Sequence, residues 1–114
     1  YSFPPDWGAT VVNTILNDPG LRTDWNEEIQ DIRSSITHLR LGLRDALKRS
    51  TNSDRFAFLG EHKGMFSRLG LTKGQVDLLR KDHAIYMVGD SRINIAGLNE
   101  KSVKVLANAV SKVL

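Results

Sequence analysis

Cysteine is absent from the 114 residues, which removes disulfides, thiolate nucleophiles and cysteine-based metal sites together. Histidine is scarce. His38, His62 and His83 lie far apart, with no pair at i, i+4, so no metal site is expected. His62 reads as a loop residue and His83 as a partner for a helix C-terminus. No apolar run approaches the roughly 18 residues of a membrane span, and nothing at the start resembles a signal peptide. A cytoplasmic setting and no membrane partner are therefore expected. Ser67 and Ser91 lack a nucleophile-elbow sequence and have no histidine at a recognisable offset. The glycine fingerprints of phosphate binding are missing too, as are internal repeats and low-complexity tracts. The chain opens on Tyr1, not methionine, with Phe3-Pro4-Pro5 following. It reads as a segment of a longer protein or a processed chain.

What is present suits one small domain with a modest core: 40% hydrophobic and 25% charged residues. The net charge of +3 and a pI near 9.5 would permit a nucleic-acid partner, but the sixteen basic residues are scattered and form no patch with interleaved aromatics. No nucleic acid is expected. Between Asp18 and Arg49 the acids Asp24, Glu27, Glu28 and Asp31 come first and Arg40, Arg44, Lys48 and Arg49 last, the order that complements a helix dipole. These charges are read as helix polarity and solvated surface.

Asp6 is a candidate cap for a short helix whose apolar face is Ala9, Val12, Ile15 and Leu16. Asp18-Pro19 then closes one helix and opens another, aspartate capping and proline suiting the first helical position. In that second helix Leu21, Trp25, Ile29, Ile32, Ile36, Leu39, Leu43 and Leu47 recur every three or four residues as one stripe. From Pro19 to Arg49 it would reach ~46 Å at ~1.5 Å per residue, more than the roughly 35 Å diameter of a domain this size. Part of the stripe would then await a partner. A break at Ser34-Ser35 or Gly42 into two helices is the alternative.

Beyond the polar stretch Ser50 to Asp54 the pattern becomes short extended runs, Phe56 to Leu59 and Met65 to Arg68, each near glycine. Thr72-Lys73-Gly74-Gln75 has capping-box spacing and opens a helix to about Asp82. Ala84 to Val88 and Arg92 to Ala96 read as paired or neighbouring strands around Gly89-Asp90-Ser91. Asn99 caps a last helix with Val103, Leu106, Ala107, Val110 and Val113 on its apolar face. The sum is an α+β module, a short sheet covered by helices, with one long helix.

Strand alternation in Arg92-Ile93-Asn94-Ile95-Ala96 turns Ile93 and Ile95 one way and Arg92, Asn94 and Ala96 the other. An arginine fork on a rigid strand makes a good carboxylate clamp. Spacing alone leaves open an ordinary surface arginine, or one paired with a neighbouring acid. Alternation puts Phe66 and Arg68 on one face, and spacing alone reads Phe66 as a core aromatic beside a glycine turn.

Taken together, Tyr1-Ser2-Phe3-Pro4-Pro5, Leu16-Asn17-Asp18, Gly64-Met65-Phe66-Ser67, Gly70-Leu71, Tyr86-Met87-Val88 and Ser91-Arg92-Ile93-Asn94-Ile95-Ala96-Gly97-Leu98-Asn99 resemble the C-terminal part of aspartate and aromatic amino acid aminotransferases. The wording is nearest to bacterial aromatic aminotransferases of broad specificity. The resemblance implies a fold-type-I homodimer using pyridoxal 5'-phosphate to move an amino group between an aromatic or dicarboxylic L-amino acid and a 2-oxo acid. By resemblance, Arg92 grips the substrate α-carboxylate, Phe66 lines the substrate pocket, and Ser2 and Phe3 form a loop reaching the neighbouring subunit. It also implies that residues 1–17 end the large cofactor domain, 18–50 form the interdomain helix and 51–114 the small domain. The family's Schiff-base lysine has no counterpart here, so this segment is expected to bind no cofactor by itself and to be inactive without the large domain. From a different class comes a free-standing interaction module that self-associates through the Leu21 to Leu47 stripe.

Overall fold

A computed structural model describes residues 5–114. The chain divides into two compact units, one ending at Ser34 and the other running from Ser35 to Leu114.

In the first unit, α1 (Asp6–Asn17) begins one residue earlier than a cap at Asp6 would allow. Pro5 holds the capping position in an extended conformation, and its carbonyl accepts the Ala9 N–H at 3.0 Å. Asp6 is thus the first helical residue, its charge in the first turn, where it opposes the helix dipole favourably. Asp18 separates α1 from α2 (Pro19–Thr51). Its own N–H donates to Thr14, and its side chain accepts the Leu21 N–H at 2.9 Å. α1 buries no residue, and Trp7, Val11, Val12 and Leu16 are exposed, as are Leu21, Trp25, Ile29 and Ile32 of α2.

α2 runs unbroken through Ser34, Ser35 and Gly42. One interior glycine costs about 1 kcal/mol, less than the burial of Leu43 and Leu47 immediately after it returns. Those two side chains are completely buried in the second unit. Around them gather Phe56 and Leu59, Leu69 and Leu71, Val76 and Leu79 of α3 (Lys73–His83), Ile95, and the face Val103, Leu106, Ala107 and Val110 of α4 (Glu100–Val113). Both short helices start on capping boxes, Thr72 with Gln75 and Asn99 with Ser102, so their first free amides are satisfied locally.

The sheet is small. β1 (Phe66–Arg68) and β2 (Arg92–Asn94) pair antiparallel, with Phe66 opposite Asn94, Ser67 opposite Ile93 and Arg68 opposite Arg92. Three of the extended runs read from the sequence turn out differently. Phe56 to Leu59 is not a strand: Ala57–Gly60 is a 3₁₀ turn, closed by Ala57 and Leu59 amides on the Asp54 and Phe56 carbonyls. That pitch eclipses residues three apart, which puts Phe56 and Leu59 on the same buried side. Ala84 to Val88 joins no ladder. Its alternating exposure is real, with Ile85 and Met87 half-buried between exposed neighbours, but Ala84 closes α3 in the left-handed region and β1 is the segment that lies beside β2. β2 itself stops at Asn94, whose side chain accepts the Ala96 N–H at 3.1 Å and turns the backbone into a 3₁₀ turn, Ile95–Gly97.

Candidate functional site

The two strands separate their side chains by face. Phe66, Arg68, Arg92 and Asn94 are exposed on one side, while Ser67 is buried and Ile93 half-buried on the other. Ahead of β2, Ser91 adopts φ 61 and donates its amide to the Val88 carbonyl at 2.8 Å. Its buried hydroxyl accepts the Gly70 and Leu71 amides at 3.0 and 3.2 Å, and its carbonyl accepts the Leu69 amide at 3.0 Å. Ser91, which the sequence offered as a turn residue and not as a nucleophile, therefore serves as the pin that fixes the backbone leading into Arg92.

Arg68 and Arg92 are cross-strand neighbours, a placement that repels like charges. Asp90 resolves it unequally. One of its carboxylate oxygens lies 3.1 Å from the Arg68 guanidinium and the other accepts the Arg92 backbone amide at 3.1 Å. The Arg92 guanidinium keeps no acidic partner among the described residues. Its central carbon lies 6.0 Å from the Phe66 ring centre, at the outer limit of a cation–π contact. Arg92 and Phe66 line a concavity of about 530 Å³ with Tyr86, Met87, Val88 and Leu98 among its walls. Arg92 is the single charged residue in that lining. An apolar hollow with one unneutralised planar cation suits a ligand with an apolar body and a carboxylate end.

Underneath the sheet lies a second arginine that the sequence reading misplaced. Arg40, taken there for part of a solvated helix end, is 2% exposed. One of its terminal nitrogens donates to the Ser67 hydroxyl and the other to the Gly64 carbonyl at 2.6 Å, and burial pulls its pKa down from the usual arginine value. Ser67 also meets His62, Nδ1 to Oγ at 3.2 Å. That contact spans five residues of irregular backbone, which is why no offset pattern announced it. Ser2 and Phe3 lie outside the described residues. Among those residues no three His, Asp or Glu gather as a metal would need, and no helix is long and apolar enough to cross a membrane.

The sequence matches the family "Aminotransferase class I and II" over residues 1–110. This chain belongs to that aminotransferase family. It is 51% identical over 113 residues to the aromatic-amino-acid aminotransferase of Paracoccus denitrificans, covering 99% of this chain and 29% of that protein. It is 39% identical over 114 residues to an aspartate aminotransferase of Pseudomonas aeruginosa, again with 29% of the relative covered. The solved aromatic-amino-acid aminotransferase of Burkholderia pseudomallei, covalently bound to pyridoxal phosphate, superposes with a TM-score of 0.93 at 42% identity, over 100% of this chain and 29% of that one. The chain thus spans under a third of the aminotransferases it matches, and its α+β fold is an aminotransferase fold.

Proposed function

We propose that this chain is the C-terminal part of a pyridoxal-phosphate-dependent aminotransferase that exchanges an amino group between an aromatic or dicarboxylic L-amino acid and a 2-oxo acid. Arg92 clamps the substrate α-carboxylate and Phe66 lines the pocket beside it. Residues 1–17 close the large cofactor domain, with Ser2 and Phe3 reaching the neighbouring subunit of a cytoplasmic homodimer; 18–50 form the interdomain helix and 51–114 the small domain. The single supporting observation is the unneutralised Arg92 guanidinium in an otherwise uncharged hollow beside Phe66. The relatives' names, which include both aromatic and aspartate aminotransferases, support the substrate range.

Pyridoxal phosphate supplies an electron sink when bound. The residues around Arg92 do not fit the contacts that hold it, since the lining contains no lysine and no carboxylate. This chain's share of the work is to bind and orient substrate, and the cofactor's attachment belongs to the large domain. The segment by itself is inactive on this reading.

The test is Arg92→Ala in the full-length enzyme. A charge-assisted carboxylate contact is worth about 1.5–3 kcal/mol, so kcat/KM for the amino acid should fall roughly ten- to a hundredfold. Arg92→Lys should recover only part of the loss, because an ammonium cannot reproduce two parallel donors. Unchanged kinetics in Arg92→Ala refute the clamp.

A further inference from the structure

We infer that Arg40 is a positioning residue for Phe66, acting from the opposite face of the strand that carries it. The inference rests on the reading of Arg92 and Phe66 as substrate contacts.

Arg40 is buried and has no carboxylate partner among the described residues. Burying a cation is costly, and an apolar side chain of similar length would fill the same space without that cost. What a guanidinium adds is a rigid fork with separate donors. Here the two prongs take the Ser67 hydroxyl and the Gly64 carbonyl, and the residues between those acceptors are Met65 and Phe66 alone. The fork therefore brackets the dipeptide on which the Phe66 ring is mounted. Ser67 points into the core while Phe66 points out, so Arg40 holds the strand from beneath and leaves the ring free to lie beside Arg92.

Neighbouring contacts reinforce the same short stretch. The Met65 carbonyl accepts the Ile95 amide at 2.7 Å. Ser67 Oγ, already an acceptor for Arg40, also lies within hydrogen-bond distance of His62 Nδ1, at 3.2 Å. Each hydrogen bond fixes the strand's height or rotation, and the buried charge makes the arrangement intolerant of substitutes. A misplacement of about 1 Å at a contact residue can cost up to about a hundredfold in rate, which is the scale on which such a support matters.

The test uses the full-length enzyme with 3-phenylpropionate, an unreactive acid carrying a carboxylate and an apolar body, titrated by calorimetry alongside steady-state kinetics. Arg40→Met should weaken 3-phenylpropionate about tenfold and raise KM for the amino acid more than it lowers kcat. Ser67→Ala, which removes one acceptor, should move both quantities in the same direction. In a Phe66→Leu background neither substitution should add a further loss, because the group being positioned is gone. The inference is overturned if Arg40→Met binds the probe within about twofold of the parent, or if its loss persists undiminished in the Phe66→Leu background. Should Arg40→Met fail to fold, Ser67→Ala decides by the same two outcomes. Arg92→Ala run in parallel separates the two readings. If it weakens the probe and Arg40→Met does not, only the positioning role falls; if neither weakens it, the clamp fails and the positioning role with it.

Discussion

Arg68 and Arg92 stand directly opposite each other across the β1–β2 ladder, and the Asp90 carboxylate pairs with the Arg68 side chain. The pair is tolerable because only one member remains unneutralised. Removing Asp90 should expose the repulsion and also strip the Arg92 amide of its acceptor. Asp90→Ala is expected to destabilise by about 0.5–1.5 kcal/mol, read as a lower urea midpoint that moves back toward the parent value in high salt. Adding Arg68→Ala to Asp90→Ala should recover part of the loss.

Gly64 sits at φ +86 with open space where a side chain would go. A Cβ there meets nothing, so the cost of Gly64→Ala is conformational, about 1–2 kcal/mol for a residue forced into the left-handed region. Its carbonyl is an Arg40 acceptor, and relaxation of this turn should displace β1. Denaturant unfolding measures the first effect; amide shifts of Phe66 and Ser67 in a heteronuclear NMR spectrum report the second.

The stripe along α2 is uneven in energy. Leu47 is fully buried while Ile29 is 38% exposed. In this chain Leu47→Ala should cost about 2–5 kcal/mol and Ile29→Ala within about 1 kcal/mol, compared by urea unfolding of the two variants. Equal losses would show that the first unit's apolar face is covered in solution.

Asp45 gives a pH signature. Arg44 holds its carboxyl below the usual range, chiefly by hydrogen bonding with Nε and Nη2 both 2.8 Å from Oδ1, while burial opposes and Lys48 and Arg49 assist. A pKa lower in the folded state than in the unfolded state means the contribution to stability is complete above the unfolded value and disappears as pH falls through the folded one. The carboxyl carbon of Asp45 should therefore titrate below the ordinary aspartate range, and Arg44→Gln should move its midpoint upward.

Local chemistry made much of the fold readable in the sequence. Asp18-Pro19, Thr72 with Gln75, and Asn99 each place a helix start through bonds spanning three residues or so, and the 3.6-residue spacing of Val103, Leu106, Ala107 and Val110 marks a buried face. Long-range pairing was less accessible. Ala84 to Val88 carries a strand's alternation, yet the ladder forms between segments some two dozen residues apart, a choice made by tertiary contact and not by propensity. The same limit hid the buried state of Arg40, whose acceptors Ser67 and Gly64 lie 27 and 24 residues away. Arg92 was legible because alternation over three residues is enough to turn it outward from Ile93. Its lack of an acidic partner among the described residues was not, since that depends on which arginine Asp90 chooses.

The brevity of the β1–β2 ladder has a dynamic consequence. Three residue pairs are too few to stand as an independent sheet, so the strands endure through bonds at their ends, Ile95 to Met65 on one side and Leu69 to Ser91 on the other. Amide protons along both strands should then trade with deuterium in a single cooperative opening rather than by fraying inward from a tip. The lifetime of that closed state bounds how long Arg92 and Phe66 stay side by side.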